Sequence, residues 1–180
     1  MPDEVLSEDD DDRPVAGFFG KLPVTGDFVW RGLPDAFRRH WDAWLTRHVA
    51  PLQRNGCSFP PGGLRFSLPS GGRLAAGVIL PGEDSAGRLY PLTLLIIAGG
   101  KLSPVQIDGW CDAAVALQPE TLAPDALWEA LDALPAPGGE GSASGPFLLW
   151  AAGHPPQAAA PDDPEAALRR IIPPPPPSSG

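Results

Sequence analysis

Few stretches of this 180-residue chain hold residue types that can do chemistry, and most of them fail on spacing. Gly20-Lys21 sets a glycine amide beside an ammonium, the pairing with which a phosphate loop cradles a nucleotide. That loop needs a glycine five positions ahead and Ser or Thr after the lysine, where this chain has Val15 and Leu22. Gly141-Ser142-Ala143-Ser144-Gly145 has the outer glycines of a nucleophile elbow but alanine at its centre, so it reads as a flexible connection. His40, His48 and His154 lack the i, i+4 spacing of a zinc helix and have no cysteine or carboxylate neighbours at ligand spacing. Glu83 and Asp84 can in principle share acid and base work, but in a Pro-Gly-Glu-Asp-Ser turn adjacent carboxylates read as solvated. No catalytic, cofactor-binding or metal-ligating residue is assigned on these grounds, and no cofactor is expected.

The segment over 20–31 is more informative. It combines Pro23, Gly26, Asp27, Phe28, Trp30 and Arg31: rigid punctuation, a side chain able to cap backbone amides, and large aromatics outside any period. One reading is a structural loop in which Asp27 satisfies local amides and Phe28 plugs the core. The other is a partner-binding edge with an aromatic or arginine anchor.

Elements that position this loop follow from periodicity. Residues 15–19 are a short aromatic strand ending at Gly20. Pro34 and Asp35 suit the first turn of a helix whose apolar face carries Phe37, Trp41, Trp44, Leu45 and His48, with Pro51 as its stop. Residues 64–68, 74–80 and 89–98 are strand-like and separated by turn residues; Arg65 and Ser67 alternate with Leu64, Phe66 and Leu68, which predicts one wet face. Helices are predicted after Pro104 and Pro124, a last strand over 147–151, and a short helix over 164–172 before the polyproline run 173–177. Trp41, Trp44, Trp110 and Trp128 fall at helical positions, which favours core packing over a ligand pocket. The expected fold is a single layered α/β domain with a central mixed or antiparallel sheet of about four to six strands flanked by helices. Its expected limits are an acidic disordered lead-in over 1–13, a folded domain over 14–152, and a Pro/Ala-rich tail with a short helix over 153–180.

Charge is distributed unevenly. Residues 1–13 hold seven acids against Arg13, residues 14–101 hold ten Lys and Arg against five acids, and residues 102–180 hold ten acids against Arg169 and Arg170, within a total of −9. Such asymmetry suits an electrostatically steered protein contact through the first half. Nucleic acid is not an expected partner, because no basic cluster with interleaved aromatics appears. The acidic start lacks a signal-peptide pattern and the longest apolar run, 92–98, is far short of a membrane span, so a cytoplasmic protein without membrane insertion is expected. Cys57 and Cys111 form no C-x-x-C pair and are expected to be reduced thiols.

Gly20-Lys21-Leu22-Pro23-Val24-Thr25-Gly26-Asp27-Phe28-Val29, then Arg31-Gly32-Leu33-Pro34, Phe37 and Trp41-Asp42-x-Trp44-Leu45, closely resemble the opening of the type VI secretion-associated proteins called TagF or ImpM. A second block, Gly87-Arg88-Leu89-Tyr90-Pro91-Leu92-Thr93, is similar to that family's Gly-Arg-x-aromatic-Pro-Leu segment. The resemblance implies a bacterial α/β domain without enzymatic activity. Its implied role is to restrain assembly of the secretion apparatus after translation by engaging a cytoplasmic forkhead-associated scaffold protein. Under this reading Lys21, Pro23, Gly26, Asp27, Phe28, Arg31 and Arg88 are the candidate partner-binding residues. Lys21, Arg31 and Arg88 would supply charge complementarity, Asp27 would hold the loop and Phe28 would anchor it. The alternative is a small hydrolase or transferase with an unrecognised site near Asp84, Arg88 and Tyr90.

Overall fold

The computed structural model describes residues 14–177; the acidic lead-in over 1–13 lies outside the described residues. Seven strands form one sheet: β1 (Val15–Gly20), β2 (Val29–Arg31), β3 (Leu64–Ser70), β4 (Arg73–Leu80), β5 (Leu92–Ala98), β6 (Phe147–Ala151) and β7 (Gln157–Ala159). Their order is β2-β1-β5-β4-β3-β6-β7 and every neighbouring pair is antiparallel. The expected four to six strands are therefore corrected to seven. The added strands, β2 and β7, are three-residue edge strands too short to show a period of two.

Five α-helices cover the sheet: α1 (Asp35–His48), α2 (Ala50–Arg54), α3 (Pro104–Ala116), α4 (Pro124–Ala133) and α5 (Glu165–Ile171). Side chains alternate along the central strands, so each face has its own core. Phe18, Ala76, Val78, Leu94 and Ile96 pack with Ile107, Trp110, Leu127 and Leu131 of α3 and α4. Phe19, Ile79, Leu95 and Ile97 pack with Trp41 and Leu45 of α1 and Leu168 of α5. With helices on both faces, β4 and β5 lose the wet side of an ordinary antiparallel sheet, and their sequences read as continuous apolar runs.

Local chemistry sets the boundaries. Ser103 and Gln106 close a capping box on α3, each side chain bonding the other's backbone N–H. Pro51, expected to stop the first helix, lies in the first turn of α2, where its missing N–H costs nothing; α1 stops at His48. The fifth strand begins at Leu92 because Pro91 has no N–H for a ladder. Beyond residue 152 the chain continues to add structure, since β7 pairs with β6 and Leu168 and Ile172 are buried in the α1-side core.

The predicted wet face of β3 is corrected by the structure. Arg65 and Ser67 are buried, because α3 lies over them. The Arg65 guanidinium donates to Asp108 Oδ1 at 2.8 Å and Asp112 Oδ1 at 2.7 Å, two carboxylates four residues apart on one face of α3. Asp108 Oδ1 also accepts from Trp150 Nε1 at 3.0 Å. Trp128 departs from the core role expected of it: it is exposed and donates its indole N–H to the Ala16 carbonyl of β1.

Candidate functional site

Two loops leave the same end of the sheet, one joining β1 to β2 and one joining β4 to β5. The first folds on itself through Thr25, whose backbone N–H and hydroxyl both donate to the Leu22 carbonyl, the hydroxyl also reaching the Asp27 carbonyl. In the second, Gly87 N–H donates to the Asp84 carbonyl and Asp84 N–H to the Arg88 carbonyl; Gly87 takes a φ of +77° that suits glycine.

Asp84 joins them. Its Oδ1 accepts the backbone N–H groups of Ala86 and Arg88, both at 2.9 Å. Its Oδ2 takes Arg88 Nε at 2.7 Å and Lys21 Nζ at 3.1 Å. Burial alone would raise this carboxyl, but the Arg88 amide, the Lys21 ammonium, the Ala86 amide and the Arg88 guanidinium outweigh it and hold Asp84 well below the ordinary carboxylate range. Two further bonds cross between the loops: Ser85 N–H to the Thr25 carbonyl at 2.8 Å and Arg88 Nη2 to the Gly26 carbonyl at 2.7 Å. The turn carboxylates read as solvated are thus divided: Glu83 is exposed and Asp84 is buried.

An aromatic layer lies beside this ionic centre. Phe28 meets Tyr90 edge-on at 4.8 Å between centroids and stacks at 6.1 Å on Phe19, while Lys21 Nζ sits 4.9 Å from the centre of the Phe28 ring. Tyr90 reaches α1, donating its hydroxyl to Asp42 Oδ1 at 2.8 Å; burial pushes the phenol up, and Asp42 adds to that. From α2, Gln53 Nε2 donates to the Gly82 carbonyl at 2.7 Å. A cleft of about 430 Å³ opens beside the loops, bordered by Lys21, Pro23, Gln53, Glu83 and Leu89.

Six of the seven expected residues therefore fall in one place: Lys21, Pro23, Gly26, Asp27, Phe28 and Arg88. Arg31 stands apart, with Nε donating to Asp125 Oδ1 of α4 at 3.0 Å and Nη1 to the Trp30 carbonyl, so it fastens β2 to the other helical layer. The carboxylate of Asp27 accepts only its neighbour's N–H, that of Phe28, at 2.8 Å among the bonds described; the loop is held chiefly by Thr25 and Asp84. Gln53 and Asp42 are contributors that sequence reasoning did not assign, and Asp84, named there only for the alternative enzymatic site, is the centre of the platform. The signal for Asp84 is local, a carboxylate followed at i+2 and i+4 by the amides it caps. Those for Gln53 and Asp42 are not local, because their partners lie 29 and 48 residues away.

Outward, the two loops present Val24, Phe28 and Leu89, which are 55%, 41% and 40% exposed, and the outer edge of the Arg88 guanidinium. Among the described residues no cluster of three His, Cys, Asp or Glu side chains is placed to hold a metal ion, and no helix is long and apolar enough to cross a membrane.

A family model described as the TagF N-terminal domain, type VI secretion system-associated, matches residues 17–134, a span that includes both loops. Among solved structures the chain is similar to PA0076 from Pseudomonas aeruginosa PAO1, with a TM-score of 0.51 and 32% identity. The similarity covers 68% of this chain and 63% of the Pseudomonas chain. No curated relative matches.

Proposed function

The chain belongs to the TagF N-terminal domain family associated with type VI secretion, and from that premise we propose that it is a non-catalytic cytoplasmic accessory protein that restrains assembly of the secretion apparatus by binding a forkhead-associated scaffold protein. The observation that carries this reading is the union of the two family-resembling blocks, 20–29 and 87–93, in one platform. Six bonds to Asp84 or across the loops fix it. Outward it presents apolar Val24, Phe28 and Leu89 beside the Arg88 guanidinium, the composition of a binding anchor with a polar edge.

The same geometry disfavours the hydrolase or transferase alternative near Asp84, Arg88 and Tyr90. A general acid or base works best with a proton affinity near the working pH. Asp84 is driven the other way and has its lone pairs spent on four donors, while the Tyr90 phenol is pushed further from ionising and its oxygen is committed to Asp42.

The test is direct binding of the purified chain to the purified forkhead-associated scaffold protein, beside a Val24→Glu, Leu89→Glu double variant. Both positions are exposed and outside the core, so the variant should fold as the parent does, which circular dichroism checks. The parent is expected to bind and the variant to lose at least tenfold in affinity; a parent that does not bind would refute the proposal, and a variant that binds equally would move the surface elsewhere.

A further inference from the structure

Outside the two loops, α1 carries a ladder of rings. Phe37 stacks on Trp41 at 5.7 Å between centroids, Trp41 on Trp44 at 5.0 Å, and Trp44 meets His48 at 5.6 Å, with Phe147 edge-on to Trp44. Beside the ladder runs a groove of about 660 Å³ whose other wall is Leu68, Ser70, Phe147 and Pro161. The function proposed above makes no use of it.

We propose that this groove binds a polyproline segment, and that its occupant is Pro173–Pro177 of a second copy of this chain. Four observations converge. Proline-rich strands are bound by grooves lined with aromatic rings, because the preformed left-handed helix offers flat pyrrolidine faces and carbonyl acceptors at little entropic cost. The same carbonyl recognition occurs within the chain at the groove's edge, where Trp44 Nε1 donates to the Pro161 carbonyl at 2.8 Å. Lengths agree, since Phe37 to His48 spans eleven residues of helix, about 16 Å, and five prolines extend to about 16 Å. Arg47 and Ser70 along the rim carry donors for further proline carbonyls.

The source of the segment follows from where the chain places its own. Ile172 is buried against the α1-side core, and Pro173–Pro177, which follow it, are exposed and do not line the groove. A ligand that the chain presents to solvent, and a groove that it leaves open, are satisfied together when each copy inserts its segment into the other. That exchange gives a closed, two-fold pair.

Sedimentation of the full chain over a concentration series tests this, with two variants. One replaces each of Pro173–Pro177 by serine and leaves the groove intact. The other, Ala43→Arg, fills the groove from an exposed position of α1 and leaves the segment intact. The parent is expected to shift from one chain to two as concentration rises. Each variant alone should stay monomeric, and the two mixed should recover a pair at least tenfold weaker than the parent. The peptide of residues 171–180 should change the tryptophan fluorescence of the serine variant saturably and leave that of Ala43→Arg unchanged. A parent that is monomeric throughout, or a serine variant that still pairs, would overturn the proposal. Peptide binding to a parent that never pairs would assign the groove to proline-rich segments of other proteins and refute the second copy as occupant.

Discussion

Removing Asp108 should cost more than removing the arginine it neutralises. Arg65 is 1% exposed, and Asp108 supplies the oxygen that accepts both its Nη1 at 2.8 Å and the indole of Trp150 at 3.0 Å. In Asp108→Ala the buried guanidinium keeps only Asp112, at the solvent edge, and backbone oxygens at 3.2 and 3.4 Å. A buried charge deprived of a partner costs about 3 kcal/mol, and the orphaned indole N–H about 1 kcal/mol more. Arg65→Met removes the charge itself and keeps a stem that fills most of the space. Asp108, 31% exposed, then retains Trp150 and gains water, and Asp112, 69% exposed, is solvated. The Arg65 Nε, buried without a partner, disappears with its desolvation cost. A loss of about 1 kcal/mol is expected for this variant. Urea denaturation followed by circular dichroism measures both, and in thermal melts the two variants should fall by about 12 °C and about 3 °C. If Arg65→Met is as destabilised as Asp108→Ala, the carboxylates contribute more than neutralisation and the reasoning fails.

Stability should decline in two stages as the pH falls. Burial, reinforced by Arg47, lowers His48 from its ordinary 6.5 against the opposing pull of Asp163 and Glu165, so the folded state binds fewer protons there and stability declines as pH drops below about 6.5. Asp84, held low by its donors, contributes stability that is present above the ordinary carboxylate value of 3.8 and is lost as pH falls below it. Melting temperature against pH should show both stages, and His48→Gln should abolish the upper one alone; an unchanged upper stage would remove His48 from the account. Cys111 is fully buried and its thiol is pushed up to about 12, whereas Cys57 is half-buried, so native alkylation at pH 8 should add one label by intact mass, at Cys57. Two labels would show that the core beneath α3 opens. Gly20 has a φ of +145°, and an added Cβ would collide with the Pro91 carbonyl and lie 2.8 Å from Leu92 Cα, so Gly20→Ala should cost about 3 kcal/mol in the same denaturation assay. A variant as stable as the parent would contradict this close approach of β1 to β5.

The elements that were legible in the sequence are those whose signal is local. Phe37, Trp41, Trp44 and Leu45 define a helix face wherever the helix packs, and all of them meet the sheet-side core. The apolar runs of β4 and β5 mark strands covered on both sides. What was not legible depends on distant partners. Alternation along β3 has the same form whether Arg65 faces water or a helix, and only Asp108 and Asp112, 43 and 47 residues away, decide that it is buried. Likewise β2 and β7 exist because β1 and β6 offer them ladders; three residues hold too little pattern to announce a strand.

The candidate site shows the same division, with a consequence for recognition. Lys21 and Arg88 read in sequence as charges offered to a partner. In the fold both are directed at Asp84, which lies 63 residues from one and four from the other, and the Lys21 ammonium is nearly enclosed. Asp84 offsets one of these two charges, so the pair offers an incoming partner less field than two free cations would. Their further contribution is geometric: they lock two loops about 60 residues apart in the sequence into one surface before any partner arrives, so that less ordering entropy is lost on binding. Affinity must then come chiefly from what the lock leaves outward, Val24, Phe28 and Leu89, with the exposed part of the Arg88 guanidinium beside them. A surface of this kind loses affinity when its apolar rim is charged and loses its shape when Asp84 is removed, two failures that binding and thermal melting measured together can tell apart.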